Sequence, residues 1–490
     1  MAYHAVTTRR HSGWALAACL LLATPMLPAS EGPAPPALQA ELDAYAQRMG
    51  TVADELWNWA ELGYLETRSS ALLQDELREA GFQVESGVAG MPTAFVARAG
   101  EGGPVIALLA EMDALPGMSQ VAEPVRQALA GGAGGHACGH NLFGAGAVAA
   151  ARAIRAWLRT TGTPGQVRVY GTPAEEGGSG KVYMVRAGLF DDVDAVLHWH
   201  PSDRNSAAQQ GSMANVSGRF RFTGVAAHAS ISPERGRSAL DGVEALNHMA
   251  NLMREHVPQQ TRIHYTISDG GGAPNVVPAS ASVYYYVRHP DPAVVQEVFG
   301  RLEKAAQGAA LGTGTQVDYE PLGGVYSLLP NDTLGRVLDA ALREGGGVRY
   351  SPAERVFAEA MQRDLERAPP LDQALQVGEY SDEGFSQAST DVGDVSWAVP
   401  TAGVATATWV PGTAAHSWQA VAASGHSIGH GGTLLAARTL ALAATRLYAQ
   451  PELLRDARVE LGERRGEGFA YRPLLQREAP PLDYRLPGDD

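Results

Sequence analysis

Cysteine is nearly absent: the 490 residues hold two, Cys19 and Cys138. Lysine is as scarce, with Lys181 and Lys304 alone, so a Schiff-base mechanism has almost no candidates. Basic charge is in the minority, 38 Lys and Arg against 53 Asp and Glu, a formal net charge of −15. That balance argues against nucleic acid or an anionic membrane surface as partner. No stretch after the first 31 residues is apolar enough to span a bilayer, and no internal repeat is found.

The first 31 residues read as an export signal. Arg9 and Arg10 form a positive start, Trp14 to Ala23 an apolar core, and Pro28 to Ser30 a small-residue exit. The apolar core is too short to cross a bilayer. Leu16 to Cys19 resembles a lipidation box but falls in the middle of the apolar run. The arginine pair lacks the hydrophobic residue a twin-arginine signal places after it. The expected product is periplasmic or secreted. With Cys19 removed, Cys138 has no disulfide partner in its own chain. It sits in His136-Ala137-Cys138-Gly139-His140, where metal ligation is its most economical use and a buried structural thiol the alternative.

Length and pattern predict one large domain with a smaller one inside it. Helical periodicity covers 38–61 and 67–80, with short strands at 83–87 and 93–98. Pro104 to Ala110 is a continuous apolar run, as in a strand buried on both faces. An alanine-rich helix follows at 142–159, then strands at 167–171 and 195–200, giving an α/β layer with a mostly parallel sheet. From 212 to 325 the order becomes strand, helix, strand, strand, helix, strand. That is the βαββαβ, ferredoxin-like unit, inserted into the first domain. The expected division is a signal at 1–31 and a Pro-rich tether at 31–37. A catalytic domain then spans 37–211 and 326–450, an inserted lid 212–325, and a surface-wrapping extension 451–490.

Metal-ligand residue types recur at the predicted strand ends. Glu175 and Glu176 follow one strand, and His198 and His200 end another on a shared face. His228 lies in the insertion and His416 late in the chain. Carboxyl ends of strands converge in open α/β sheets, so residues far apart in sequence can meet there. Taken singly, the glutamate pair could be a solvated loop, and each histidine a packed one.

Seven stretches carry a resemblance: Glu111–Pro116, Gly135–Asn141, Gly171–Gly178, Lys181–Pro201, Ala273–Pro278, Ser389–Trp397 and Gly412–Gln419. In order and content they resemble the metallopeptidase/amidohydrolase family of aminoacylases, carboxypeptidase G-type enzymes and plant auxin-conjugate hydrolases. Within it they are most similar to the group formed by the B-type subunits of p-aminobenzoyl-glutamate hydrolase, which Asn141 fits although the wider family has Asp there. The resemblance implies two divalent ions, with Cys138 bridging them, His140 and His200 on one, and Glu176 and His416 on the other. It implies Glu175 as general base, His228 reaching a neighbouring protomer's site, and Asn275 and Arg288 as candidates for holding a substrate carboxylate. Homodimers or larger homo-oligomers follow from the same likeness. Asp113 is expected to orient a ligand from behind, with a purely structural role as the alternative. Zinc suits the Cys/His/Glu set, and manganese or cobalt also occupy carboxylate-rich sites.

Three motifs mislead. Gly425–Gly429 matches a nucleophile elbow, but no histidine follows His430 to serve Ser427 as base. His426 and His430 lack the glutamate that a zinc-protease helix needs. Gly144–Ala149 mimics a dinucleotide fingerprint without a preceding strand. The expectation is a metal-dependent amidohydrolase cleaving an amide beside a free carboxylate. Its substrates would be N-acyl or N-aroyl amino acids, p-aminobenzoyl-glutamate-like conjugates, or small peptides. The rival is a partner-dependent component of a larger enzyme or a non-catalytic ligand-binding protein.

Overall fold

The computed structural model describes residues 35–486. The expected signal at 1–31 lies outside the described residues. Among those described, no helix is long and apolar enough to cross a membrane.

Two helices, α1 (Pro36–Trp59) and α2 (Thr67–Glu79), precede strands β1 (Gln83–Ser86), β2 (Phe95–Glu101) and β3 (Val105–Glu111). The two-residue strands β4 (Leu115–Pro116) and β5 (Gly134–Gly135) lead to α3 (His140–Thr161). β6 (Gly165–Thr172), α4 (Gly180–Arg186) and β7 (Ala195–Ser202) follow. All seven residues of β3 are buried: the apolar run Val105 to Ala110, as a strand covered on both faces requires, and the carboxylate Glu111 at its end. The main sheet has the order β1-β2-β6-β3-β7-β12, where β12 is Thr401–Ala407. It is parallel from β6 through β12 and antiparallel at the β1 edge. α3 lies tight against this sheet because it carries small residues. A Cβ on Gly144 would stand 2.9 Å from the Glu111 carbonyl, and one on Gly146 2.9 Å from the Trp199 ring. This close approach seats the N-terminus of α3 beside the carboxyl ends of β3 and β7.

The inserted unit comprises β8 (Ala214–Thr223), α5 (Ala239–Met253), β9 (Arg262–Asp269), β10 (Ser280–His289), α6 (Pro292–Thr313) and β11 (Gln316–Val325). Its antiparallel sheet runs β11-β8-β10-β9. Strand alternation divides the residues cleanly. Phe220, Phe222, Val283, Tyr285 and Val287 share a buried core with residues of α5 and α6. The opposite face carries Ser217, Arg219, Arg221, Tyr284, Tyr286 and Arg288.

The chain then returns through α7 (Asp332–Gly345), α8 (Pro352–Gln362), α9 (Val392–Ala398), β12, α10 (Trp418–Ser424), α11 (Ser427–Ala449) and α12 (Pro451–Arg465). Two expectations need revision. Pro36 is the first residue of α1, not part of a tether. Residues 451–465, expected to wrap the surface, form a helix that buries Leu453, Leu454, Ala457 and Leu461. Abundant Arg and Glu masked that apolar stripe. After α12 the chain does run along the surface, pinned by buried Leu474 and Leu475.

Candidate dinuclear metal centre

Five of the proposed ligands converge at the carboxyl edge of the main sheet. Cys138 and His140 flank Gly139, whose φ of +75° turns the chain into α3 and whose missing Cβ leaves room for Pro201. Glu175 and Glu176 follow Ala174, a non-glycine residue at φ 57°, in the loop after β6. His200 lies near the end of β7. His416, itself at φ 58°, follows β12, and its N–H donates to the Ala137 carbonyl at 3.0 Å. That bond ties the late loop to the cysteine loop. Left-handed backbone at two non-glycine positions is sparsely populated and clusters at functional sites.

The donor atoms fall into overlapping sets, each within 4.8 Å: Cys138–His140–His200, Cys138–Glu176–His416 and His140–Glu175–Glu176. Cys138 Sγ lies 3.4 Å from His200 Nε2, and His416 Nε2 lies 3.2 Å from Glu176 Oε1. Ligand bonds of about 2.0–2.3 Å place two donors on one ion roughly 3 to 3.6 Å apart, so these spacings fit shared cations. The tautomers fit as well. His140 Nδ1 faces Asp113 Oδ1 at 3.0 Å and His200 Nδ1 faces the Pro201 carbonyl at 2.8 Å, which leaves both Nε2 atoms directed inward. Among the described residues, His140 Nε2 and Glu176 Oε1 are buried without a hydrogen-bond partner, a condition that divalent cations would relieve. Asp113 serves both sides, because its Oδ2 accepts the Glu176 N–H at 2.9 Å.

Burial sets the electrostatics. It pushes the Cys138 thiol pKa up and the His200 imidazole down. Burial, then Glu111, Glu176 and Asp391, hold Glu175 well above the usual carboxylate range. The Glu176 carboxylate, 3.2 Å away, raises the His416 imidazole.

Behind Glu175 lies a group to which sequence reasoning gave no role. Lys181 Nζ, fully buried, sits 2.8 Å from Glu111 Oε1 and 2.7 Å from Asp391 Oδ1. Glu111 Oε2 is 3.0 Å from His140 Nε2. A usable signal existed: one of only two lysines lies in an otherwise apolar segment, where a buried ammonium demands carboxylate partners.

Other histidines stay apart. His136, a sequence neighbour of the thiol outside the five proposed ligands, faces the Leu56 carbonyl at 3.1 Å, and burial lowers its pKa to about 3. His198 packs beside Gly403, lowered to about 4 by burial. The Asn141 amide donates to the Ala53 and Ser424 carbonyls at 3.1 and 2.9 Å, a structural role. His426 stacks on Phe357, His430 pairs with Asp54, and Ser427 donates to Glu354.

A cavity of about 370 Å³ lies between the metal loops and the inserted sheet, lined by Glu175, Glu176, Asp391, His416, Tyr286 and Arg288 among others. The Arg288 guanidinium stacks over the Tyr286 ring at 5.2 Å and donates to Ser389 Oγ at 3.2 Å. His228 and Asn275 are not among its lining residues. They are exposed on adjoining loops of the insertion, where the Ala229 N–H donates to the Asn275 carbonyl at 2.9 Å.

The fold and this edge-on cluster of donors agree with the comparison to known families. The chain belongs to peptidase family M20/M25/M40, whose model matches residues 107–420. It is 40% identical to the B-type subunit of p-aminobenzoyl-glutamate hydrolase from Escherichia coli K12, over 86% of this chain and 93% of that one. It is 32% identical to the Mus musculus Xaa-Arg dipeptidase over 86% of this chain and 90% of that one. In structure it is similar to a Bacillus subtilis dinuclear metal-binding peptidase of the M20 family. That match has a TM-score of 0.58 at 20% identity and covers 83% of this chain and 99% of the other.

Proposed function

We propose that this protein hydrolyses an amide bond beside a free carboxylate, in N-acyl or N-aroyl amino acids, p-aminobenzoyl-glutamate-like conjugates or small peptides. It is a metal-dependent amidohydrolase, and the observation that carries the site assignment is the position of Glu175. Its carboxylate reaches the donor atoms of His140 and Glu176, yet neither Cys138-centred ligand set requires it. Cys138, His140, His200, Glu176 and His416 would hold two divalent ions. Bound there, the ions supply Lewis acidity that lowers the pKa of water and polarises a carbonyl. A thiolate with imidazoles suits zinc, and manganese or cobalt are the alternatives.

The chain's own groups do the rest. Glu175, kept basic by its buried acidic surroundings, takes a proton from water and passes it to the departing amine. Glu176, with its carboxylate directed at His416, cannot share that task. Asp113 fixes the His140 ring and the Glu176 backbone together. Arg288 offers a planar fork to the substrate carboxylate. His228 and Asn275 would complete a neighbouring protomer's site in a homo-oligomer, where His228 would stabilise the tetrahedral oxyanion. Export to the periplasm or medium is part of the same reading.

The test is metal content together with hydrolysis of a panel of N-acyl amino acids and dipeptides, for the parent and Glu175→Ala. Two ions per chain, turnover abolished by chelators, and a silent but metal-loaded variant are expected. A variant as active as the parent would remove Glu175 from the mechanism. Activity restored only by a second polypeptide would establish the partner-dependent reading.

A further inference from the structure

A second cavity, of about 460 Å³, adjoins the first and shares Gly177, Tyr284 and Leu322 with it. Arg219 and Arg221 of β8 and Arg477 of the C-terminal strap enter it around a single carboxylate, Glu320. Arg221 Nη2 is 3.0 Å from Glu320 Oε2, Arg477 Nη2 is 3.5 Å from Oε1, and Arg219 Nη1 stands off at 3.7 Å. Among the described residues, only Arg221 is hydrogen-bonded to it, and Arg219 Nε is buried with no partner. The remaining acid of the lining, Asp483, is exposed. Among the described residues, positive charge therefore exceeds negative in this cavity, although the whole chain carries −15. An unpaired buried guanidinium N–H is costly unless an anion satisfies it.

The placement of this group is specific. Arg219 is paired across the sheet with Tyr284, and Arg288 lies four residues further along β10. Strand rise separates those two positions by roughly 13 Å. Arg288 has a cationic neighbour of its own, since Arg262 lines another pocket with it. The lid face thus has two cationic poles with the catalytic carboxylate's cavity between them, a spacing close to the span of an acylated amino acid.

We propose that the Arg219/Arg221/Arg477 pocket binds a second anionic group of the substrate, a carboxylate on the acyl side of the scissile amide. This rests on the amidohydrolase reading and deepens it: one carboxylate goes to Arg288, and the other, remote from the leaving amine, goes to the second pocket. The favoured substrates are acidic acyl-amino acids in place of neutral ones.

The test uses the metal-loaded full chain and a matched pair, N-(4-carboxybenzoyl)-glutamate against N-benzoyl-glutamate. The carboxylated substrate should have a kcat/KM roughly ten- to a hundredfold higher, mainly through KM. Arg219→Met and Arg477→Met should each bring that ratio toward one, with circular dichroism confirming the fold. Equal kcat/KM values for the pair, or a ratio unmoved by either substitution, overturn the proposal while leaving the amidohydrolase reading intact. Phosphate that accelerates benzoyl-glutamate turnover, and ceases to do so in Arg477→Met, would assign the pocket to a free anion and overturn it too. If neither substrate is cleaved, the amidohydrolase reading fails for these conjugates, and calorimetric titration of the same two ligands decides the pocket. Tighter binding of the carboxylated one supports it, and equal affinities refute it.

Discussion

Lys181→Met removes one positive charge from the most buried ionic group in the site and keeps most of the side-chain volume. In the parent, the ammonium is 2.7 Å from Asp391 and 2.8 Å from Glu111, with all three side chains at most 2% exposed. At an effective dielectric constant near 20, each contact amounts to about 6 kcal/mol of Coulomb attraction. Desolvation of three ions, at several kcal/mol each, offsets most of that gain. The measurable loss is then the cost of leaving buried Asp391 unpaired and Glu111 with His140 alone, beside Glu175, about 3–5 kcal/mol. Denaturant unfolding at fixed metal concentration measures it, and Asp391→Asn in the same background should recover part of the loss through a coupling of about 1–3 kcal/mol. Arg98→Met supplies the comparison. Its pair with Glu85 is 38% and 59% exposed, so removal should cost under about 1 kcal/mol. A Lys181→Met variant within about 1 kcal/mol of the parent would refute the reasoning, since buried carboxylates cannot lose a cation held at 2.7 and 2.8 Å so cheaply.

Asp113→Asn leaves one amide oxygen to accept what two carboxylate oxygens accepted from His140 and the Glu176 N–H. Metal affinity, measured by competition with a chelating indicator, should fall about 10- to 100-fold. Cys138→Ala deletes the donor common to two ligand sets, so elemental analysis should find fewer than two ions per chain under conditions that saturate the parent. Asp394 is fully buried, accepting from Tyr471 Oη at 2.7 Å and the Tyr326 N–H at 3.0 Å. Burial raises its pKa from 3.8 to about 7. Between those values the folded chain keeps a proton that the unfolded chain has released, so this group's contribution to stability falls as pH rises through the window. Asp394→Asn should flatten that slope in unfolding midpoints measured from pH 4.5 to 8, and an unchanged slope would exclude Asp394 as its source.

Local patterns carried most of the architecture. The β3 run was readable because six successive apolar residues, Val105 to Ala110, leave a strand no exposed face. The inserted unit was readable from period-two alternation around two helical segments. Helix α8 was overlooked between glycine- and proline-rich stretches, although Ser351 and Glu354 spell out the capping box that the structure forms. Cys138 drew attention through its rarity and its histidine neighbours. Lys181 did not, because its partners lie 70 residues before it and 210 after, a pairing that local pattern does not encode. The arginines of the second cavity looked like ordinary outward-facing strand residues, and only the strap bearing Arg477 makes them a pocket.

Between His200 and His416 the chain leaves the main sheet, builds the whole inserted unit and comes back. With cations held by both histidines' loops, this long excursion is fastened at its base. A disulfide would restrict the unfolded chain in the same way, but here the fastening is reversible and concentration-dependent. A protein with one cysteine among its described residues would in effect use metal as its cross-link. Its resistance to unfolding would then track the metal supply of its surroundings, and starvation for metal would loosen the return loop from the cysteine loop at the moment catalysis is lost.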